Sequence, residues 1–175
     1  EKIDLSQWCS PVRNQGELSS CTAQAVVGLV EYAEKRAFGK YIEASPLFLY
    51  KVTRNLLGFK GDTGAYLRSA LKGVVLFGAP PEEYCPYAID KFDEEPSAFS
   101  YAFGQNYQTL MYLRLDPSGR TPETILNRIK VMLYAGFPSV FGFTVYDSMR
   151  DAYNTGEILV PSENERAISG HAVMC

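Results

Sequence analysis

The sequence predicts an α+β fold in which a helical lobe precedes a lobe built mainly of strands. Apolar residues recur at helical spacing through most of the first 78 positions, and residues 80–107 combine prolines, acidic residues and scattered aromatics without a period. Beyond them, short apolar runs surround one further helical pattern. The predicted lobes are residues 1–105 and 106–175, with a cleft between them as the expected ligand site.

In the first lobe, helices are predicted over about 21–38, 45–58 and 65–78. Gly39 directly follows the first pattern and Gly58 ends the second, as expected at helix C-termini. Ser45 belongs to the residue types that cap helix N-termini, and Pro46 suits the first turn. The apolar faces of these helices indicate a packed core.

The second half predicts strands and one helix after an irregular surface connection over 80–107. The helix is predicted over 121–136, with Thr121 as its cap and Pro122 in its first turn. Strands are predicted over 107–115, 138–145, 157–160 and 170–175.

Composition excludes several classes of protein. A net charge of −3 over 175 residues gives no basic footprint, so we exclude nucleic acid and anionic membrane surfaces as partners. No apolar run approaches the length of a membrane span, and the first residues lack the apolar core of a signal peptide. We therefore expect a soluble protein, and the sequence leaves its compartment open between bacterial cytoplasm and secretion.

The four cysteines, at positions 9, 21, 85 and 175, are too few and too scattered for a disulfide framework, so free thiols are predicted. His171 and Cys175 have a spacing that would suit two metal ligands on one helix face. Their apolar segment predicts a strand instead, in which residues four apart are separated by roughly 13 Å, too far for one ion. We predict neither a metal nor a cofactor.

Cys21 at the start of the first helix has two interpretations. It is either a nucleophile, whose thiolate the helix N-terminus would favour, or a small apolar residue packed under a loop. A nucleophilic cysteine also needs a base, and the chain contains a single histidine, His171. Any cysteine–imidazole chemistry must therefore use this pair.

Four segments resemble papain-like cysteine peptidases, in the order of that family. "PVRNQGELSSCTA" resembles the segment that holds the nucleophile, with Gln15 six residues before Cys21. "ASPLFLY" resembles the helix that follows, and "GDTGAYLRSALKGVVLFGAPPEEYCPY" resembles the Gly-rich substrate-binding strand with its downstream helix. "TGEILVPSENERAISGHAVMC" resembles the stretch leading to the catalytic histidine, and "VFGFTVYDSM" is similar to bacterial members.

The resemblance implies a two-lobe papain-like fold, whose second lobe is β-barrel-like, and the activity of a cysteine endopeptidase. It implies that Cys21 attacks the scissile carbonyl and that His171 protonates the leaving amine. The side-chain amide of Gln15 and the backbone N–H of Cys21 would form the oxyanion hole.

The resemblance also implies a peptide or protein substrate, bound as an added strand, and an inhibitory segment N-terminal to this chain. Backbone groups of the Gly-rich strand would pair with the substrate, and neighbouring side chains would form a pocket for an apolar side chain. These candidate substrate-binding residues are Gly64, Ala65, Tyr66, Leu67, Gly170 and Ala172.

The chain departs from the family pattern at several positions. Leu18 and Asp62 stand where the family usually has two bridged cysteines, which favours a reducing compartment or a bacterial lineage. Ser19 replaces a common glycine, and Thr22 replaces a tryptophan. In the family, an asparagine beyond the histidine orients its imidazole, and this chain ends at Cys175, so we expect it to be C-terminally incomplete.

Two other functions stay open. One is a papain-fold binding or regulatory protein without activity, and the other is a thiol acyltransferase that passes the acyl group to an amine.

Overall fold

A computed structural model describes residues 2–175. After a short 3₁₀ helix at Ser6–Trp8, its first half contains three packed helices, α1 (Cys21–Phe38), α2 (Pro46–Leu57) and α3 (Leu67–Phe77). The predicted end signals of these helices are confirmed. The Ser45 hydroxyl accepts the Phe48 N–H at the start of α2, and Gly58 ends this helix with a φ of 69°.

The core lies between these three helices. Phe48 and Leu49 of α2, Val26 and Val27 of α1 and Val74 of α3 are buried together. Helix α1 also packs against the strand that carries His171. It therefore connects the core to the candidate site at its N-terminus.

The prediction of an irregular connection over 80–107 is wrong in part. Short 3₁₀ helices occur at Glu82–Tyr84, Ile89–Lys91 and Gln105–Tyr107, and a further helix, α4, spans Ala98–Gly104. The Ser97 hydroxyl caps α4 by accepting the Ser100 N–H. Phe99 and Phe103, one turn apart, stack at 5.5 Å, and this contact stabilises a helix too short to show a clear period.

The second half contains α5 (Pro122–Tyr134), α6 (Met149–Thr155) and two antiparallel strands, β1 (Val140–Tyr146) and β2 (Ala167–Met174). Helix α5 and both strands confirm predictions, including the strand around His171. Phe143 of β1 lies directly opposite His171 of β2.

Strands predicted over 107–115 and 157–160 are wrong. Neither segment pairs with a neighbour among residues 2–175, and Leu110 and Val160 are 96% and 93% exposed. An apolar run forms a strand only where a partner satisfies its backbone groups, and sequence alone does not reveal that partner. The lobe boundary at residue 105 and the barrel-like form of the second lobe stay predictions.

No helix within residues 2–175 combines the length and the apolar character needed to span a bilayer.

A partly buried ion pair fixes the segment that leads to Cys21. The Arg13 guanidinium donates to both carboxylate oxygens of Glu31, with an Nη1–Oε2 distance of 3.1 Å. Glu31 is fully buried on α1 and also accepts the Ala44 N–H at 2.9 Å. Arg13 lies two residues before Gln15, so this pair anchors the chain beside the candidate site.

We expect Glu31→Gln to lower the free energy of unfolding by about 1.5–3 kcal/mol, because the amide loses the charge that holds Arg13 and keeps only part of its hydrogen bonding. Urea denaturation measures the change. Glu94→Gln, at an exposed position, is the matched control. A Glu31→Gln protein as stable as this control would contradict the assignment.

Candidate active site

Cys21 is the first residue of α1, an 18-residue helix whose N-terminus is left open by its neighbour Ser20. Ser20 has the residue type of a capping residue but makes no capping hydrogen bond, because its hydroxyl lies 2.6 Å from the Tyr87 hydroxyl. The Ser20 side chain therefore does not occupy the N–H groups of the first helical turn, and their positive electrostatic potential can stabilise an anion beside Cys21. Cys21 itself is half-buried.

Gln15 is held at both its backbone and its side chain. The Tyr87 hydroxyl donates to the Gln15 carbonyl at 2.8 Å, and the Gln15 amide nitrogen donates to the Leu18 carbonyl at 2.8 Å. A side-chain amide carries two N–H groups. Residues 2–175 supply an acceptor for one of them, so the second is available to a ligand.

His171 lies on β2, with its ring edge-on to Phe143 at a centroid distance of 5.8 Å. The two residues are direct cross-strand partners, which limits the rotation of the half-buried imidazole. Because β2 packs against α1, the imidazole and the thiol lie on facing elements.

An open cleft of about 820 Å³ brings the predicted site residues together. All nine residues predicted from the sequence line it. They are Gln15, Cys21, Gly64, Ala65, Tyr66, Leu67, Gly170, His171 and Ala172.

Known proteins that resemble this chain include peptidases. No family model matches the sequence. An uncharacterised peptidase C1-like protein of Acanthamoeba polyphaga mimivirus is 33% identical over 176 residues, which cover 98% of this chain and 56% of the viral protein. The chain thus spans about half the length of this curated relative.

Solved structures extend the comparison. Xylellain, a cysteine protease from Xylella fastidiosa, is 28% identical, with a TM-score of 0.81 over 99% of this chain and 68% of its own. A Carica candamarcensis cysteine protease in complex with E-64 is 25% identical, with a TM-score of 0.59 over 98% of this chain and 74% of its own. The chain belongs to the papain-like cysteine peptidase family. The fold also resembles digestive procathepsin L 3 of Tenebrio molitor, at 21% identity and a TM-score of 0.66, over 85% of this chain and 45% of that one.

The cysteines of this papain-like chain differ in their surroundings. Cys9, Cys21, Cys85 and Cys175 are all free. Burial raises the pKa of the Cys9 thiol and that of the Cys85 thiol, so neither is disposed to ionise near neutral pH. Of these thiols, Cys21 is the one that lines the cleft.

Sequence reasoning missed part of the papain-like cleft. The additional lining residues include Phe59, Thr63, Gly142, Phe143, Thr144 and Ser169. The β1 residues could have been placed at the cleft if the predicted strands at 138–145 and 170–175 had been paired with each other as antiparallel neighbours. That step needs the register of the two strands. Tyr87 forms hydrogen bonds with Gln15 and Ser20, and no feature of the sequence around it predicts these contacts.

Proposed function

We propose that this papain-like protein is a cysteine endopeptidase in which Cys21, His171 and Gln15 act on the scissile peptide bond. The observation that supports it most is the convergence in one cleft of a thiol at an open helix N-terminus, the chain's single imidazole and an amide with an uncommitted N–H group. Each supplies a different requirement of acyl transfer to a thiol.

In the proposed reaction, the Cys21 thiolate attacks the carbonyl carbon, and the Sγ–C bond forms as the carbonyl oxygen gains charge. The Gln15 amide and the Cys21 backbone N–H stabilise that oxygen. His171 gives its proton to the leaving amine as the C–N bond breaks, leaving a thioester. Water then attacks the thioester as His171 takes its proton, and the Sγ–C bond breaks, which releases the acid product and restores the Cys21 thiolate beside protonated His171.

The substrate is expected to bind in extended form along the segment that directly precedes α3. The Gly64 N–H already donates to the Tyr50 hydroxyl at 3.1 Å, so this group is committed within the protein. Backbone pairing with the substrate therefore falls mainly to Ala65. Leu67, Ala172 and the exposed ring of Tyr66 would contact an apolar substrate side chain.

Thiol labelling tests the nucleophile directly. We expect a peptidyl epoxysuccinyl reagent to modify Cys21 at least about tenfold faster than Cys9 or Cys85, because the cleft beside Cys21 binds the peptide portion and burial raises the pKa of the other two thiols. Peptide mapping by mass spectrometry gives the three rates. Equal rates at Cys21 and Cys85 would contradict the proposal.

A further inference from the structure

Asp62 joins two neighbouring segments that line the cleft by accepting hydrogen bonds from three donors. Its carboxylate accepts the Ser19 N–H at 2.9 Å, the Ser19 hydroxyl at 3.2 Å and the Tyr50 hydroxyl at 2.5 Å. The Tyr50 oxygen in turn accepts the Gly64 N–H at 3.1 Å. A chain of hydrogen bonds therefore runs from Ser19 through Asp62 and Tyr50 to Gly64.

The two ends of this chain lie side by side where they line the cleft. Ser19 lies two residues before Cys21, and both line the cleft with Gly64. A Cβ atom at Gly64, whose φ is +71°, would lie 3.8 Å from the Ser19 Cβ atom. Any change in the Asp62 contacts would therefore alter the spacing between the turn that leads to the thiol and the segment proposed to hold the substrate.

The anchor of this connection is rigid. Tyr50 is fully buried in α2, in the centre of the core. Burial and the bond to Asp62 raise the pKa of the Tyr50 phenol, so it remains a donor at neutral pH. Asp62 itself is exposed. Its carboxylate connects the buried Tyr50 hydroxyl to Ser19.

We propose that Asp62 is a positioning residue, which holds the Ser19 turn at a fixed distance from the Gly64–Ala65 segment so that a bound peptide meets the thiol in reacting geometry. The role rests on the proposed function, because it acts on the alignment of a peptide substrate. Leu18 and Asp62 occupy the positions that the resembled family bridges with two cysteines, so polar contacts of Asp62 connect the same two segments here.

Asp62→Ala and Tyr50→Phe test this role by steady-state kinetics on a peptide substrate. We expect each to lower kcat/KM about tenfold or more, with the fall in kcat larger than the rise in KM, because misplacement at a reacting centre acts on the transition state. The double variant should lose no more than the larger single loss, since both residues belong to one connection. Asp62→Asn, which keeps an acceptor for the Ser19 N–H, should recover part of the activity.

Alkylation of Cys21 by iodoacetamide separates positioning from loss of structure. Iodoacetamide is small and does not depend on the peptide-binding part of the cleft. Its rate of alkylation at Cys21 should therefore stay within about twofold of the parent rate in both single variants. Asp90→Ala, at another exposed aspartate, is the matched control for both measurements.

Unchanged kcat/KM in Asp62→Ala relative to Asp90→Ala would overturn the positioning role and leave the proposed function intact. A parallel fall of alkylation and turnover would also overturn it, because the loss would then be structural. A parent protein that labels at Cys21 but cleaves no peptide would refute the proposed function, and this role with it.

Discussion

Replacing Cys21 or His171 by alanine is expected to reduce peptide turnover by about 10⁴-fold or more, the largest effect of any single substitution in this chain. Without the thiol no thioester forms, and without the imidazole neither the leaving amine nor the attacking water exchanges its proton. The chain offers no other histidine to take over the second task. Single-turnover assays with a peptide of defined sequence measure both losses.

The losses of turnover in Cys21→Ala and His171→Ala should not be additive in the double variant. Because the thiol and the imidazole act as one unit, the double variant is expected to be no slower than the slower single variant. Cys85→Ser is the matched control, because Cys85 is also a half-buried free thiol but does not line the cleft. Burial raises the pKa of the Cys85 thiol. A His171→Ala protein that kept turnover within about tenfold of the parent would exclude the imidazole as the proton carrier.

The elements that could be predicted from sequence are those with local signals. Helix α2 has a capping serine, a first-turn proline and a terminal glycine, and all three act within a few residues of the helix ends. Helix α5 has the same kind of start, where the Thr121 hydroxyl accepts the Thr124 N–H. Such helix ends are determined by residues adjacent in sequence, so contacts with distant parts of the chain alter them little.

Strands depend on partners that lie far away in sequence. The run around Leu110 and that around Val160 have the composition of strands, yet both remain exposed and unpaired within residues 2–175. The strand with His171 forms because β1 lies beside it in register. Composition therefore indicates which segments can form strands, and the topology decides which of them do.

The candidate site divides in the same way. Cys21, His171 and Gln15 can be proposed from the sequence because they match the papain-like motifs in type and order. The contacts of Tyr87 and Asp62 could not be predicted, because a tyrosine and an aspartate in a loop have many ordinary roles. Their importance depends on contacts over 67 and 43 positions in sequence, which the structure alone provides.

Gln15→Ala is expected to lower kcat by about 10²–10³-fold with little change in KM, because its free N–H group would bind the oxygen only after charge has developed there. The Leu18 carbonyl holds the amide in place through its other N–H group, so no reorganisation is needed when the oxyanion forms. The substitution leaves the carbonyl of Gln15, and its bond from Tyr87, in place. Initial rates over a range of peptide concentrations separate kcat from KM.

Iodoacetamide again supplies a decisive comparison, because alkylation of a thiolate displaces iodide at a saturated carbon and builds no charge on a carbonyl oxygen. In Gln15→Ala, the alkylation rate at Cys21 should therefore match that of the parent while peptide turnover falls. Gln7→Ala, at an exposed glutamine outside the cleft, is the matched control. If alkylation fell together with turnover, or if KM alone rose, Gln15 would be a support for the loop or for substrate binding and not an oxyanion donor.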